Sequence, residues 1–271
     1  MIDMMPRPSR GDTPRDRLVL SVPPPGGFGS PVVRTTAATR DIILQLEDTI
    51  IRTAKPWNRE DVLIHHTSMT AYTMLAVFHL GIRPRNTPHI GGADLTGATA
   101  HWVIQDKSSK IYFEERLLYV PPVVVHLVQQ LGTFRGRLER EILNHLGSSA
   151  IARLPADPLF FFDTTGSVVP FSLKAFWAAL CALPIGFPAD TPRNFGRHWL
   201  RTRLAEDGVA DDLMNMWFGH TAAGREPLAN HASTCYGPAL AQLRDRIAEY
   251  LRELGFKHLE YFRPTTRRRF L

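Results

Sequence analysis

Apolar residues return every three to four positions from Thr35 onward, at Ile42, Ile43, Leu46, Ile50 and Ile51, and the pattern stops before Pro56. That period predicts a helix with one buried face. The next stretch, "NREDVLIHHTSMTAYTMLAVFHLG" (58–81), opens with acidic residues and closes on a glycine, as a helix dipole and a C-terminal cap favour. It is nearly all apolar after Ala71, so it is predicted to be a central helix. The period then changes. In "DLTGATAHWVIQDKSSKIYFEERLLYVP" (94–121), Trp102 and Ile104 alternate, "DKSS" supplies a turn, and Ile111, Phe113 and the run Leu117 to Val120 resume. This predicts a small antiparallel sheet. Helical spacing returns at 122–146, 172–183, 194–207, 210–218 and 239–254, with Pro- and Gly-rich loops between. The fold class expected is therefore mainly α with a small antiparallel β-sheet (α+β).

Residues 6–31 carry prolines, glycines and scattered charges, a composition unable to bury enough apolar surface to order itself. No later linker marks a second domain. The expected organisation is a Pro/Gly-rich leader over 1–34, one domain over 35–258 and a basic tail over 259–271. The 271 residues are 44% hydrophobic, enough for a real core. The formal charge of +6 leans toward polyanionic partners. Of 32 cationic residues only five are lysine, which makes each lysine informative. Two cysteines, Cys181 and Cys235, exclude a disulfide framework and a multi-cysteine metal site. No apolar signal core opens the chain and no run reaches membrane-spanning length, so no membrane partner and a cytoplasmic location are expected.

Four short motifs follow one another along the chain: "GIR" at 81–83, the lysines of "QDKSSK", "TPRNFGRHWLRTRLAEDGVADDLMNMWFGH" at 191–220, and a tyrosine in "NHASTCYGPAL". In this order they resemble the catalytic domain of the tyrosine recombinase (phage integrase) family, over roughly residues 36–255. The resemblance implies a site-specific DNA strand transferase, typical of mobile genetic elements, acting as a homo-multimer on double-stranded DNA in the cytoplasm or nucleoid. Cleaving a phosphodiester without a metal requires a nucleophile, charge neutralisation at the phosphorane and a proton donor for the leaving oxygen. Two arginines can fork onto the non-bridging oxygens better than lysine's point charge can. A tyrosine attacks and retains the phosphate as a 3′ ester. The resemblance therefore implies neither cofactor, metal nor ATP.

Carried residue by residue, the first arginine falls on Arg83, with Arg85 as its neighbour and competitor. The general acid falls on Lys107, directly after the first strand, and Lys110 stays possible. A literal His-x-x-Arg picks His198 and Arg201. Spacing favours another register: Arg197 precedes the turn glycine Gly208 by eleven residues, as the family's second arginine does, whereas Arg201 precedes it by seven. Arg197 then needs no gap as far as Gly219 and His220, and His198 matches the histidine that often follows that arginine. The family's histidine becomes Asn194, which can donate to a phosphate oxygen but cannot shuttle a proton. Arg201 and Arg203 either flank the site and touch neighbouring phosphates or form a solvated basic face. The resemblance implies that His220 turns its imidazole toward the phosphate. The nucleophile is Tyr236, sixteen residues after His220 where the family has about nine; Tyr250 and Tyr261 are rivals, and Tyr250 sits where an aromatic is expected to pack.

The family's N-terminal clamp domain is expected to be missing or reduced here, weakening DNA affinity because fewer phosphates are neutralised. Asn194, the late tyrosine and the missing clamp motivate an alternative, a catalytically weakened relative that only binds DNA. A third reading, a helix-turn-helix regulator, draws on the cadence of "RLAEDGVADDLMNMW" but leaves Arg83, Lys107 and Tyr236 unexplained.

Overall fold

The computed structural model describes residues 36–54, 59–84, 100–105, 115–146, 159–162, 167–219 and 236–259. Helix α1 (Thr36–Arg52) buries Ile42, Ile43, Leu46 and Ile50, the stripe its period predicts. Helix α2 (Arg59–Phe78) packs against α1 and against several of the elements that follow. Its side chains from His65 to Phe78 are buried all round, which makes it the central helix. Strands β1 (His101–Gln105) and β2 (Glu115–Tyr119) pair antiparallel, with Trp102 opposite Leu118 and Ile104 opposite Arg116. Alternation puts Trp102, Ile104 and Leu118 in the core and leaves Val103 and Leu117 exposed, as a half-buried hairpin requires.

Helix α3 (Pro122–Leu146) covers another side of α2. A second hairpin, β3 (Phe160–Phe162) with β4 (Val168–Pro170), was not expected from the pattern. Its strands are three residues long, too short for a period of two to show, and Phe160 and Phe161 are both buried. The Phe160 carbonyl, 2.9 Å from His66 Nε2, anchors β3 to the central helix. Helices α4 (Leu173–Ala182), α5 (Phe195–Glu206), α6 (Asp211–Phe218) and α7 (Tyr236–Glu253) complete the described fold. The architecture is thus mainly helical with small antiparallel hairpins.

After α7 the chain turns back over the core, burying Leu254, Phe256 and Leu259. Tyr72 fixes this return: its hydroxyl donates to the Gly255 carbonyl and accepts from the Lys257 amide. Leu259, the last described residue, is packed in the core. The leader, the rest of the tail and the "DKSS" turn lie outside the described residues.

His79, just after α2, is fully buried among the rings of Phe195, Trp199 and Phe256. Its Nδ1 donates to the Leu75 carbonyl, so protonation would have to place a second N–H at Nε2, buried with no hydrogen-bond partner. Burial accordingly lowers its pKa to about 4. The unfolded chain takes up this proton near pH 6.5 and the folded one only near 4, so stability falls as pH drops through that window and is unaffected above it. The expected stability loss from this group between pH 7 and pH 4 is roughly 3 kcal/mol. Urea unfolding of wild type and His79→Gln at both pH values checks it: the mutant should lose less stability on acidification, and parallel losses would exclude the assignment.

Candidate functional site

The end of α2, the start of α5 and the end of α6 meet at one point. The sequence brings α5 there through Gly196, where an added Cβ would lie 3.1 Å from both His79 Nδ1 and the Phe78 carbonyl carbon. Only a residue without a side chain lets the first turn of α5 approach α2 so closely. The next residue, Arg197, is 7% exposed. Its Nη1 donates to the carbonyl of Gly81 and its Nη2 to the carbonyl of Phe218, the latter at 2.7 Å. Its guanidinium also lies 4.9 Å from the centroid of the Phe218 ring. One buried side chain thus ties the "GIR" turn to the "WFGH" end of α6.

Further contacts hold the same junction. Trp217 Nε1 donates to the Leu80 carbonyl at 2.8 Å. The Phe218 ring fills the space in front of Gly81, which has φ +80°, and a Cβ there would be 2.5 Å from Cε1 of that ring. Arg116, on β2, donates through Nη1 to the Trp217 carbonyl and through Nη2 to the Gly81 carbonyl at 3.2 Å. Gly219 ends α6 in the left-handed region at φ +63°, and a Cβ there would stand 2.8 Å from Arg116 Cδ. The orphan carbonyls of a helix C-terminus are therefore capped by two arginines instead of by water alone.

The residues singled out by sequence fall as follows. Arg83 is exposed and lies two residues beyond the Gly81 carbonyl that Arg197 and Arg116 share. Arg197 has a bracing job that spacing did not anticipate: its guanidinium is held inside the junction rather than laid on an open surface. Arg201 is exposed, with its guanidinium 6.0 Å from the Phe218 ring centroid. Asn194 occupies the N-cap position of α5 yet makes no side-chain cap bond. Its Nδ2 lies 2.8 Å from His198 Nε2, a geometry in which the amide donates and the imidazole accepts. Partial burial, then the charges of Arg197 and Arg201, push the His198 pKa below its usual value. Asn194, His198 and Arg201 form an exposed polar stripe along α5 beside the junction.

Tyr236 is the first residue of α7, so the helix starts three residues earlier than its pattern predicts. Tyr250, the rival nucleophile, is a packing residue: it is 3% exposed, its hydroxyl donates to the Asp207 carboxylate, and burial raises its pKa. Arg203 belongs to the same structural cluster. It sits over the Tyr250 ring at 5.1 Å and forms ion pairs with Glu253 at 3.4 Å and Asp207 at 3.7 Å, which accounts for it without any phosphate. Lys107, Lys110, His220, Arg85 and Tyr261 lie outside the described residues. Among the described residues no group of three or more His, Cys, Asp or Glu side chains is placed to hold a metal ion.

Chemically, the junction assembles guanidinium groups from β2 and α5 around a turn that carries another exposed arginine. The two inner guanidiniums are engaged with the carbonyls of Gly81, Trp217 and Phe218, and Arg83 is exposed beside them. Among the described residues no helix is long and apolar enough to cross a membrane. Compared with known proteins, the chain matches no protein-family model, no curated protein and no solved structure.

Proposed function

We propose that the chain is a site-specific DNA strand transferase of the tyrosine recombinase kind, working as a multimer on paired double-stranded sites. One observation carries the reading. Arg197 joins the carbonyl two residues before Arg83 to the carbonyl two residues before His220. Two of the four motifs, more than a hundred residues apart in sequence, are thereby held together by one buried guanidinium.

In the proposed reaction the phenol oxygen of Tyr236 attacks the scissile phosphorus, and the bond to the 5′ oxygen breaks. The phenolic proton passes to solvent, and Lys107 protonates the leaving 5′ oxygen. Arg83 and Arg197 stabilise the charge that builds on the non-bridging oxygens. The 3′-phosphotyrosine keeps the bond energy, so a second 5′ hydroxyl can remake the backbone with no cofactor.

Asn194 in the place of the family's histidine favours a second reading, a relative that binds DNA without cutting it. Its amide is engaged with His198, and neither its bond nor its chemistry moves a proton. A covalent test separates the two. The protein is incubated with a pool of nicked duplexes of randomised sequence, and complexes that survive denaturant are isolated. Wild type and Tyr250→Phe are expected to give an adduct and Tyr236→Phe none. Salt-sensitive binding with no adduct from wild type would favour the binding-only reading.

A further inference from the structure

Asn194 stands at the N-cap of α5 without capping it, and its side chain turns instead to His198, one helical turn later. The 2.8 Å contact between Asn194 Nδ2 and His198 Nε2 can run in one direction only, because an amide nitrogen has no lone pair to offer. Nε2 is therefore the bare nitrogen, and in a neutral imidazole the proton then sits on Nδ1. His198 is exposed, and no described residue takes up that N–H. The ring keeps one donor for a partner from outside, on the nitrogen that its neighbour selects.

Two features keep the ring neutral. Protonation would put a second N–H on Nε2, head-on against the amide N–H of Asn194. It would also add a cation beside Arg197 and Arg201, and partial burial together with those two charges already holds the His198 pKa below its usual value. Spacings of four and three residues set Asn194, His198 and Arg201 on one helical face. The Arg201 guanidinium lies 6.0 Å from the Phe218 ring centroid, so this face adjoins the end of α6. An anion arriving there meets a guanidinium at Arg201 and, one turn before it, a neutral donor that does not repel that guanidinium.

Resting on the DNA-binding part of the proposed function, we infer that His198 is a neutral phosphate donor: its Nδ1–H bonds a backbone phosphate oxygen of duplex DNA, and Asn194 holds the ring in the tautomer that can do so. Asn194 is then a positioning residue. The amide in the place of the family's histidine works through the histidine one turn on, and its own contact is with the ring and not with the phosphate.

Phosphate contacts carry no sequence information, so a fluorescein-labelled duplex of randomised sequence is a sufficient probe. All the variants lie on the exposed face of α5, and Asn194 makes no cap bond to lose. His198→Asn places an amide nitrogen where Nδ1 was, whereas His198→Gln places one where Nε2 was. His198→Gln is expected to bind about tenfold more weakly than wild type, the worth of one hydrogen bond to a charged group, and His198→Asn to recover most of that loss. In both, the slope of log affinity against log salt should stay as in wild type, because a neutral donor displaces no counterion. Arg201→Ala should lower that slope by about one. Asn194→Ala is expected to weaken binding about threefold and to add nothing to His198→Gln. Nitrogen NMR of the histidine rings gives the independent check, with Nδ1 protonated in wild type and a mixture of tautomers in Asn194→Ala. A salt slope in His198→Gln as low as that of Arg201→Ala, additive losses in the double variant, or a wild-type ring protonated on Nε2 would each overturn the inference while leaving DNA binding intact. If wild type shows no salt-sensitive binding to the duplex, the DNA reading itself falls, and this role with it.

Discussion

Arg197→Ala is expected to slow DNA strand cleavage by about a thousandfold, the upper range for removing one preorganised donor from a developing oxyanion. It should also lower stability by about 3 kcal/mol, through the loss of its two bonds to buried carbonyls and of the packing of the arginine stem. The two effects have one origin. The guanidinium that would face the phosphate charge is also what holds the Gly81 and Phe218 carbonyls. Gly81 retains its bond from Arg116, while Phe218 loses the 2.7 Å bond from Arg197 to its carbonyl. Arg197→Lys separates the two jobs: it keeps the charge and one donor group, so it should recover part of the rate and part of the stability. Single-turnover cleavage and urea unfolding on the same preparations measure both. Full activity in Arg197→Ala would remove this residue from the site and move the second arginine to Arg201.

Gly81→Ala is expected to lower the melting temperature by roughly 10 °C, because two penalties coincide. A non-glycine residue held at positive φ costs about 1–2 kcal/mol. The Phe218 ring, 2.5 Å from the new Cβ, must move out of a packed junction, at about 1–3 kcal/mol more. In a chain of this size each kcal/mol is worth about 2–4 °C. The double variant Gly81→Ala/Phe218→Leu should regain part of the packing penalty and none of the backbone one. A melting temperature unchanged in Gly81→Ala would contradict the tight turn on which the placement of Arg83 depends.

The helices could be read from the chain because their signals are periodic and long. The stripe of Ile42, Ile43, Leu46 and Ile50 and the apolar run of the central helix fold as their spacing predicts. The short β3–β4 hairpin left no period to read. At the candidate site, counting back from Gly208 favours Arg197 over Arg201 as a phosphate ligand, whereas what the fold shows of Arg197 is its hold on the Gly81 and Phe218 carbonyls. Counting could not show that this arginine is a buried brace, since a basic residue on a helix carries no mark of which carbonyls it will meet. Arg203 illustrates the same gap, for its partners Glu253 and Tyr250 come from a helix some fifty residues away. Arg116 did leave a signal. It falls in phase with Leu118 and Val120 on the inward face of its strand, a charged residue where alternation calls for an apolar one.

The central claim is that Tyr236 becomes joined to DNA through a 3′ phosphate, and the most direct measurement is the chemistry of that joint. Wild-type adduct is trimmed with nuclease, digested with protease and analysed by mass spectrometry. The expected product is a peptide spanning Tyr236 that carries a nucleotide ester-linked through its 3′ phosphate, with a free 5′ hydroxyl on the released strand. A linkage to any other residue, a linkage through a 5′ phosphate, or bound DNA with no linkage at all would contradict it.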